Sequence, residues 1–498
     1  MEPTFHIENF GCRAARADGE AVGGWLRAAG LTCQAAAAAD VVVVNTCTVT
    51  EEAERAARAF IRRAHRMNPA ARIVVTGCAA QRAPQQLARM EGVAAVVGNS
   101  HKALTPEIIL SLTGKGGVHR PAGESLVRIE TPAAAHAAAP VWADDRFAHS
   151  FLEEAQMMPG AQTRPNLKIQ EGCANRCTFC VIPFTRGPSR SLPCFAVLRQ
   201  VEAFVAAGGH ELVLSGINLG RWGRDVSRSL DAEKAGNSAR REPAPQTLAG
   251  LVRAIFARTA LGRLRLSSIE PMDWDAELIG LMAEFGDPEP GPARLARHAH
   301  LPLQSGSDAV LRRMHRRYRP WHYADKVAAL VRAAGPDLTL GADVMVGFPG
   351  ETNAEFEETL EMVRALPFGY LHLFPFSPRP ATAGWELHAE RPVPPSVVEE
   401  RMAVLRALAA EKSRSHRARF VGRKLEAITL HTPAEMAARK RTTALTENFL
   451  PVELEGEFAA NRMVRLRVTG LSTAGTLEAE LEDAKPGPET VCAAALAG

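Results

Sequence analysis

The stretch Ile169-Gln170-Glu171-Gly172-Cys173-Ala174-Asn175-Arg176-Cys177-Thr178-Phe179-Cys180 decides how this chain is read. A short apolar run ends in three cysteines, Cys173, Cys177 and Cys180, spaced C-x3-C-x2-C. Three thiolates on one tight loop can hold three irons of a 4Fe–4S cluster. No fourth cysteine follows at matching spacing, so one iron is left open for a substrate or cosubstrate. Zinc, the other metal reading, wants a fourth ligand nearby, and Cys194 lies too far along, before a helix. The loop therefore points to chemistry rather than simple electron transfer.

Outward from this loop, residues 164–392 form an α/β series. Candidate strands are 167–170, 211–215, 264–267, 299–303, 339–346 and 370–374, with helical patterns between most of them. Six βα steps predict a complete or partial β/α barrel. The polar segment 225–245 reads as a surface insertion. Residues 5–110 alternate in the same way, with strands at 5–10, 41–45, 73–77 and 93–98 and helices near 17–29, 50–66 and 80–91. Thr50 is placed to cap the second helix, and the alternation predicts an open parallel sheet. Five short strands, 425–430, 443–445, 450–454, 463–469 and 476–481, predict a small all-β barrel of oligonucleotide-binding type. The division expected is 1–112, an N-terminal α/β domain; 113–158, a linker in which 125–129 is the best candidate for a crossing element; 159–395, the barrel core; 396–419, a helical connection; 420–485, the β-barrel; and 486–498, a disordered tail.

With 498 residues, 46% apolar and 23% charged, the composition is that of a soluble globular protein of two to four domains. No apolar stretch is long enough to span a bilayer, and Met1-Glu2-Pro3-Thr4 lacks the regions of a signal peptide, so a cytoplasmic location is expected. Nine cysteines in such a chain read as metal ligands or catalytic groups rather than as disulfides. A net charge of +4 says little about a polyanionic partner. The runs Arg312, Arg313, His315, Arg316, Arg317, Arg319 and Arg414, His416, Arg417, Arg419, Arg423, Lys424 suit phosphates, though either run alone fits a solvated helix face.

Three further cysteines, Cys12, Cys47 and Cys78, each follow the carboxyl end of a strand in the first domain. Ligands bind at that edge of an open α/β sheet, so these three can converge on one cluster. Cys33, Cys194 and Cys492 lack this placement and read as structural.

With Phe179 directly before the third cysteine, the central loop resembles the signature of the radical S-adenosylmethionine enzymes. The resemblance implies that the amino and carboxylate groups of S-adenosylmethionine chelate the open iron, and that reductive cleavage releases a 5′-deoxyadenosyl radical. The stretches Asn9-Phe10-Gly11-Cys12, Asn45-Thr46-Cys47-Thr48-Val49-Thr50 and Val75-Thr76-Gly77-Cys78-Ala79 resemble the N-terminal domain of the methylthiotransferases, whose chains end in a small barrel called TRAM. The likeness covers about 5–110 and 160–485. It implies two 4Fe–4S clusters, one on Cys173, Cys177 and Cys180 and one on Cys12, Cys47 and Cys78. The first starts the radical; the second supplies sulfur, and a second S-adenosylmethionine gives the methyl group. Partners implied are tRNA, an electron donor and a sulfur donor of unknown identity.

Within that family, Arg186-Gly187-Pro188-Ser189-Arg190-Ser191 looks most like the branch acting on carbon 2 of N6-threonylcarbamoyladenosine at tRNA position 37. The isopentenyladenosine branch usually has a longer spacer containing Glu. That branch, the branch acting on a ribosomal-protein aspartate, and a non-catalytic iron–sulfur protein that binds tRNA stay open as alternatives. The stretches from His300 to Ser307 and from Asp343 to Thr352 are shared by all branches. A departure is Ala15 where the family often has asparagine, with Arg13 where lysine or glutamine is common. Geometry and resemblance together assign Phe179, Ser215, Gly216, Asn218, Glu270 and Gln304 to the cofactor, with Gly347 to Gly350 passing near its adenine or ribose. Arg439, Lys440, Arg441, Arg462, Arg465 and Arg467 on the terminal barrel suit RNA phosphates.

Overall fold

The computed structural model describes residues 2–114, 138–150, 164–225, 245–286 and 292–482. The candidate element at 125–129, most of the insertion and the tail lie outside the described residues.

The first domain is a six-stranded, all-parallel sheet in the order β2-β1-β3-β4-β5-β6. Its strands are β1 (Thr4–Asn9), β2 (Thr32–Cys33), β3 (Val41–Thr46), β4 (Arg72–Gly77), β5 (Val93–Gly98) and β6 (Val141–Trp142). β3 is buried along its whole length, and four successive valines suit a strand covered on both faces. Thr50 accepts a hydrogen bond from the Ala53 amide at 3.3 Å and caps the helix Glu51–Met67, whose first turn carries Glu51, Glu52 and Glu54. The single helix expected over 80–91 is two, Cys78–Arg82 and Pro84–Ala88. Pro84 has no amide hydrogen to continue the first, and Ala83 before it leaves helical geometry. The expected linker also needs correction. Val141–Trp142 pairs with the exposed edge of β5, and the His149 amide bonds Ser100 O at 3.1 Å, so 138–150 belong to this domain. Two residues are too few to show a strand pattern in sequence.

The second domain holds six parallel strands: β7 (Asn166–Glu171), β9 (Glu211–Gly216), β10 (Arg263–Leu266), β11 (His298–His300), β12 (Thr339–Val346) and β13 (Phe368–Pro375). β8 (Arg190–Ser191) is antiparallel to β7. The ladders β10-β9-β7-β8 and β11-β12-β13 meet through a parallel bridge from Leu264 to Leu295, which gives a partial barrel. One continuous apolar core, with Trp222, Trp274, Phe204 and Phe348 fully buried, joins the sheet to its helices. β11 is shorter than expected, although the Leu301 and Leu303 amides still bond Gly341 O and Asp343 O on β12.

The helix Pro395–Ala418 packs on β13 and leads to the terminal unit. That unit is a closed barrel of β14 (Lys424–Thr429), β15 (Arg441–Thr446), β16 (Pro451–Glu455), β17 (Met463–Leu471) and β18 (Leu477–Leu481), as expected. It docks beneath the amino ends of the central strands. Arg263 Nη2 reaches Glu426 at 3.0 Å, Arg265 donates to the carbonyls of Thr446 and Glu447, and Arg297 Nη2 meets Glu447 at 2.6 Å. Phe449 enters from this side, its ring 4.3 Å from His298 and 5.6 Å from Tyr370 between centroids.

Candidate active site

Both cysteine triplets lie at the opposite, carboxyl ends of their strands. Cys12 caps the helix Arg13–Ala28, Cys47 follows β3, and Cys78 follows β4. Gly11 adopts φ +108°, and a Cβ there would stand 2.5 Å from the Cys47 Cβ and 2.7 Å from its Sγ, so only glycine lets Cys12 and Cys47 approach. The Cys47 Sγ accepts from the Val49 amide at 3.4 Å, and the Cys78 Sγ accepts from Asn99 Nδ2 at 3.4 Å. Burial, then the neighbouring Cys78 and Cys12, pushes the Cys47 thiol up to about 12. Cys33 stands apart, exposed on β2.

On the central loop, Cys173 Sγ accepts from the Asn175 amide at 3.4 Å and from Asn218 Nδ2 at 3.6 Å. Cys177 Sγ accepts from Arg316 Nη1 at 3.3 Å. Burial raises the Cys173 thiol and pushes Cys180 up to about 12. Thiols held up in this way give up protons when a metal binds, and N–H groups aimed at sulfur stabilise the thiolate.

A cavity of about 470 Å³ opens between the two domains. Cys12, Ala14 and Val49 line it from the first domain; Ser215, Gly216, Asn218 and Glu270 line it from the second. Gly216 sits so near β7 that a Cβ would meet the Gln170 Cβ at 2.9 Å. The Asn218 amide donates to Gln170 Oε1 at 2.6 Å, and its own Oδ1 is buried without a partner among the described residues. Glu270 is tied to the buried Arg316 at 2.5 Å, so one guanidinium bridges Glu270 and Cys177. Of the expected cofactor residues, the structure gathers Ser215, Gly216, Asn218 and Glu270 on the cavity wall. Phe179 and Gln304 do not line it: Phe179 packs against the central core, and Gln304 is buried at φ +62° beside β12.

Next to the first triplet lies a buried ion cluster joining the two domains. Lys102 Nζ meets Asp18 at 2.6 Å, Lys168 Nζ meets both Asp18 and Glu171, and Arg186 Nη1 meets Glu171 at 2.6 Å and Asp18 at 3.1 Å. Three cations face two carboxylates, leaving one positive charge in excess. Arg186 Nε and Nη2 are buried with no hydrogen-bond partner among the described residues, and against the effect of burial Cys78, then Glu171, Asp18 and Cys12, raise the Arg186 pKa. Unpaired buried N–H groups facing three convergent thiols fit an anionic iron–sulfur group there.

Sequence reasoning left several lining residues unassigned: His298, His300, Asp343, Tyr370 and His372. The signal was present. His298-Ala299-His300 and Tyr370-Leu371-His372 place polar side chains two apart, on one face of otherwise apolar strands. On the terminal barrel, Arg441, Arg465 and Arg467 pair with Glu478, Glu426 and Glu482. Arg439, Lys440 and Arg462 are exposed and make no ion pair among the described residues.

Comparison with known proteins agrees with this layout. Residues 4–98 match the family described as uncharacterized protein family UPF0004, and residues 167–363 match the radical SAM superfamily. The chain is 31% identical over 430 residues to the threonylcarbamoyladenosine tRNA methylthiotransferase MtaB of Aquifex aeolicus, covering 86% of this chain and 91% of that one. It belongs to the radical S-adenosylmethionine methylthiotransferases. Within that family it is 31% identical to the Thermotoga maritima MtaB, over 95% of this chain and 96% of that one. It is 35% identical to the tRNA-2-methylthio-N(6)-dimethylallyladenosine synthase of Sorangium cellulosum, over 81% of this chain and 77% of that one. A radical SAM enzyme uses S-adenosylmethionine and a 4Fe–4S cluster.

Proposed function

We propose that this protein methylthiolates carbon 2 of N6-threonylcarbamoyladenosine at position 37 of tRNA. The carrying observation is that one cavity is walled by the first domain at Cys12 and by Asn218 and Glu270, which adjoin Cys173 and Cys177. Relatives named for that nucleoside match over nearly the whole length of both chains. When bound, two 4Fe–4S clusters and S-adenosylmethionine supply a 5′-deoxyadenosyl radical, sulfur and a methyl group.

Cys173, Cys177 and Cys180 hold one cluster in this reading, and Cys12, Cys47 and Cys78 hold the other. Asn218 and Arg316 donate to thiolates of the first, while Val49, Asn99 and Arg186 donate around the second. Ser215, Gly216 and Glu270 form the wall against which the cofactor lies, with Gly216 permitting close backbone approach. The target base leaves its stack to enter the cavity. Arg439, Lys440 and Arg462 offer free cationic groups to the RNA backbone, with Arg441, Arg465 and Arg467 beside them. An electron donor and a sulfur donor complete the reaction, in a cytoplasmic setting.

Reconstituted protein with reductant and S-adenosylmethionine should form 5′-deoxyadenosine; none formed would sink the enzyme reading. Cys47→Ala should lower iron by about one cluster and abolish methylthiolation while sparing cofactor cleavage. Mass spectrometry of tRNA nucleosides from a deletion strain names the substrate. Loss of the methylthio derivative of isopentenyladenosine, with the threonylcarbamoyl derivative intact, would reassign the branch.

A further inference from the structure

We infer that His300 and His372, both held by Asp343, form the subsite that receives the threonyl carboxylate of the substrate and thereby select the nucleoside. The inference rests on the threonylcarbamoyladenosine reading above.

The first argument is charge. Among the described residues no lysine or arginine lines the cavity; the groups there able to carry positive charge are His298, His300 and His372. Threonylcarbamoyladenosine brings a carboxylate into this cavity, whereas isopentenyladenosine brings none. A carboxylate taken from water without a charged or hydrogen-bonding partner is strongly disfavoured.

The second is geometry. His300 Nε2 lies 3.3 Å and His372 Nδ1 3.2 Å from the same oxygen, Asp343 Oδ1. The two rings stand 5.2 Å apart between centroids. Burial works against the charge on Asp343, but the adjoining His300 and the hydrogen-bonded His372 outweigh it and hold its carboxyl well below the usual range. A permanent carboxylate between two imidazoles fixes their orientation. His298 is committed elsewhere, its Nε2 2.8 Å from the Tyr370 hydroxyl.

The third is position. Cys12 caps a helix packed on β7 and β9, whereas His300, Asp343 and His372 lie on β11, β12 and β13, the other ladder of the barrel. Carbon 2 of the adenine must face the sulfur source. The N6 substituent is carried by the other ring neighbour of N1, and its bond points away from that of carbon 2. With carbon 2 turned toward Cys12, that substituent extends toward the β11–β13 wall.

The test uses holoenzyme carrying both clusters and two anticodon-loop RNAs, one with threonylcarbamoyladenosine and one with its neutral threonine-carboxamide analogue. Wild type should prefer the carboxylate RNA in kcat/KM by about tenfold or more, the scale of one charge-assisted hydrogen bond. His372→Gln, at a largely exposed side chain, and His300→Gln should bring that ratio toward one, at unchanged iron content. A wild type that does not distinguish the two RNAs, or variants that keep the preference, would overturn the inference. Wild type that modifies an isopentenyladenosine loop and neither threonyl RNA would instead overturn the substrate reading, and the inference with it.

Discussion

Arg186 is fully buried, yet its Nε and Nη2 groups have no acceptor among the described residues. Each such unpaired group costs about 1–3 kcal/mol. Remove the guanidinium, and the two lysines left, Lys102 and Lys168, balance Asp18 and Glu171. Arg186→Met should therefore do little harm to the metal-free fold and much harm to the loaded one. Its thermal shift on cluster reconstitution should shrink relative to wild type, with iron falling toward one cluster per chain; calorimetry beside iron analysis checks both. None of this was legible in the sequence. Arg186 and Asp18 are 168 positions apart, and Lys168 and Asp18 150, so no local pattern ties them together. The cysteines were legible because one triplet is compact in sequence and each member of the other follows a strand.

Among elements, those with a strong period were readable and those made by neighbours were not. β3 announces itself with Val41 to Val44, and the capped helix after Thr50 with its acidic first turn. β2 and β6 exist because a longer strand offers an open edge, which two residues cannot advertise. The helix Pro395–Ala418 shows how an element is fastened. His416, near its end, is buried and pairs through Nε2 with Thr339 Oγ1 on β12 at 2.9 Å. Burial, then Arg419 and Arg417, lowers its pKa to about 4, below the ordinary 6.5. Between those values the unfolded chain binds the extra proton, so stability falls as pH drops from about 6.5 to about 4, by up to about 1.4 kcal/mol per pH unit. Unfolding of His416→Gln should show a flatter pH profile across that window.

At the scale of the whole molecule, the three-part order was readable, but the docking of the parts was not. Arg263, Arg265 and Glu211 sit at the amino ends of β9 and β10 as buried charges with no sequence partner in view. Two of their partners, Glu426 and the turn at Thr446 and Glu447, belong to the terminal barrel. That docking presses Phe449 against His298 and Tyr370, two residues that also line the cavity on their other side. The terminal barrel thus works as a stopper, in addition to the RNA contacts proposed for it. Pull it, or trim Phe449 to alanine, and solvent gains a route into the chamber from below. A radical formed there would meet stray hydrogen donors before it met the nucleoside. Phe449→Ala should still cleave S-adenosylmethionine but spend more of it per methylthiolated nucleoside, a leak measurable as the ratio of 5′-deoxyadenosine to product.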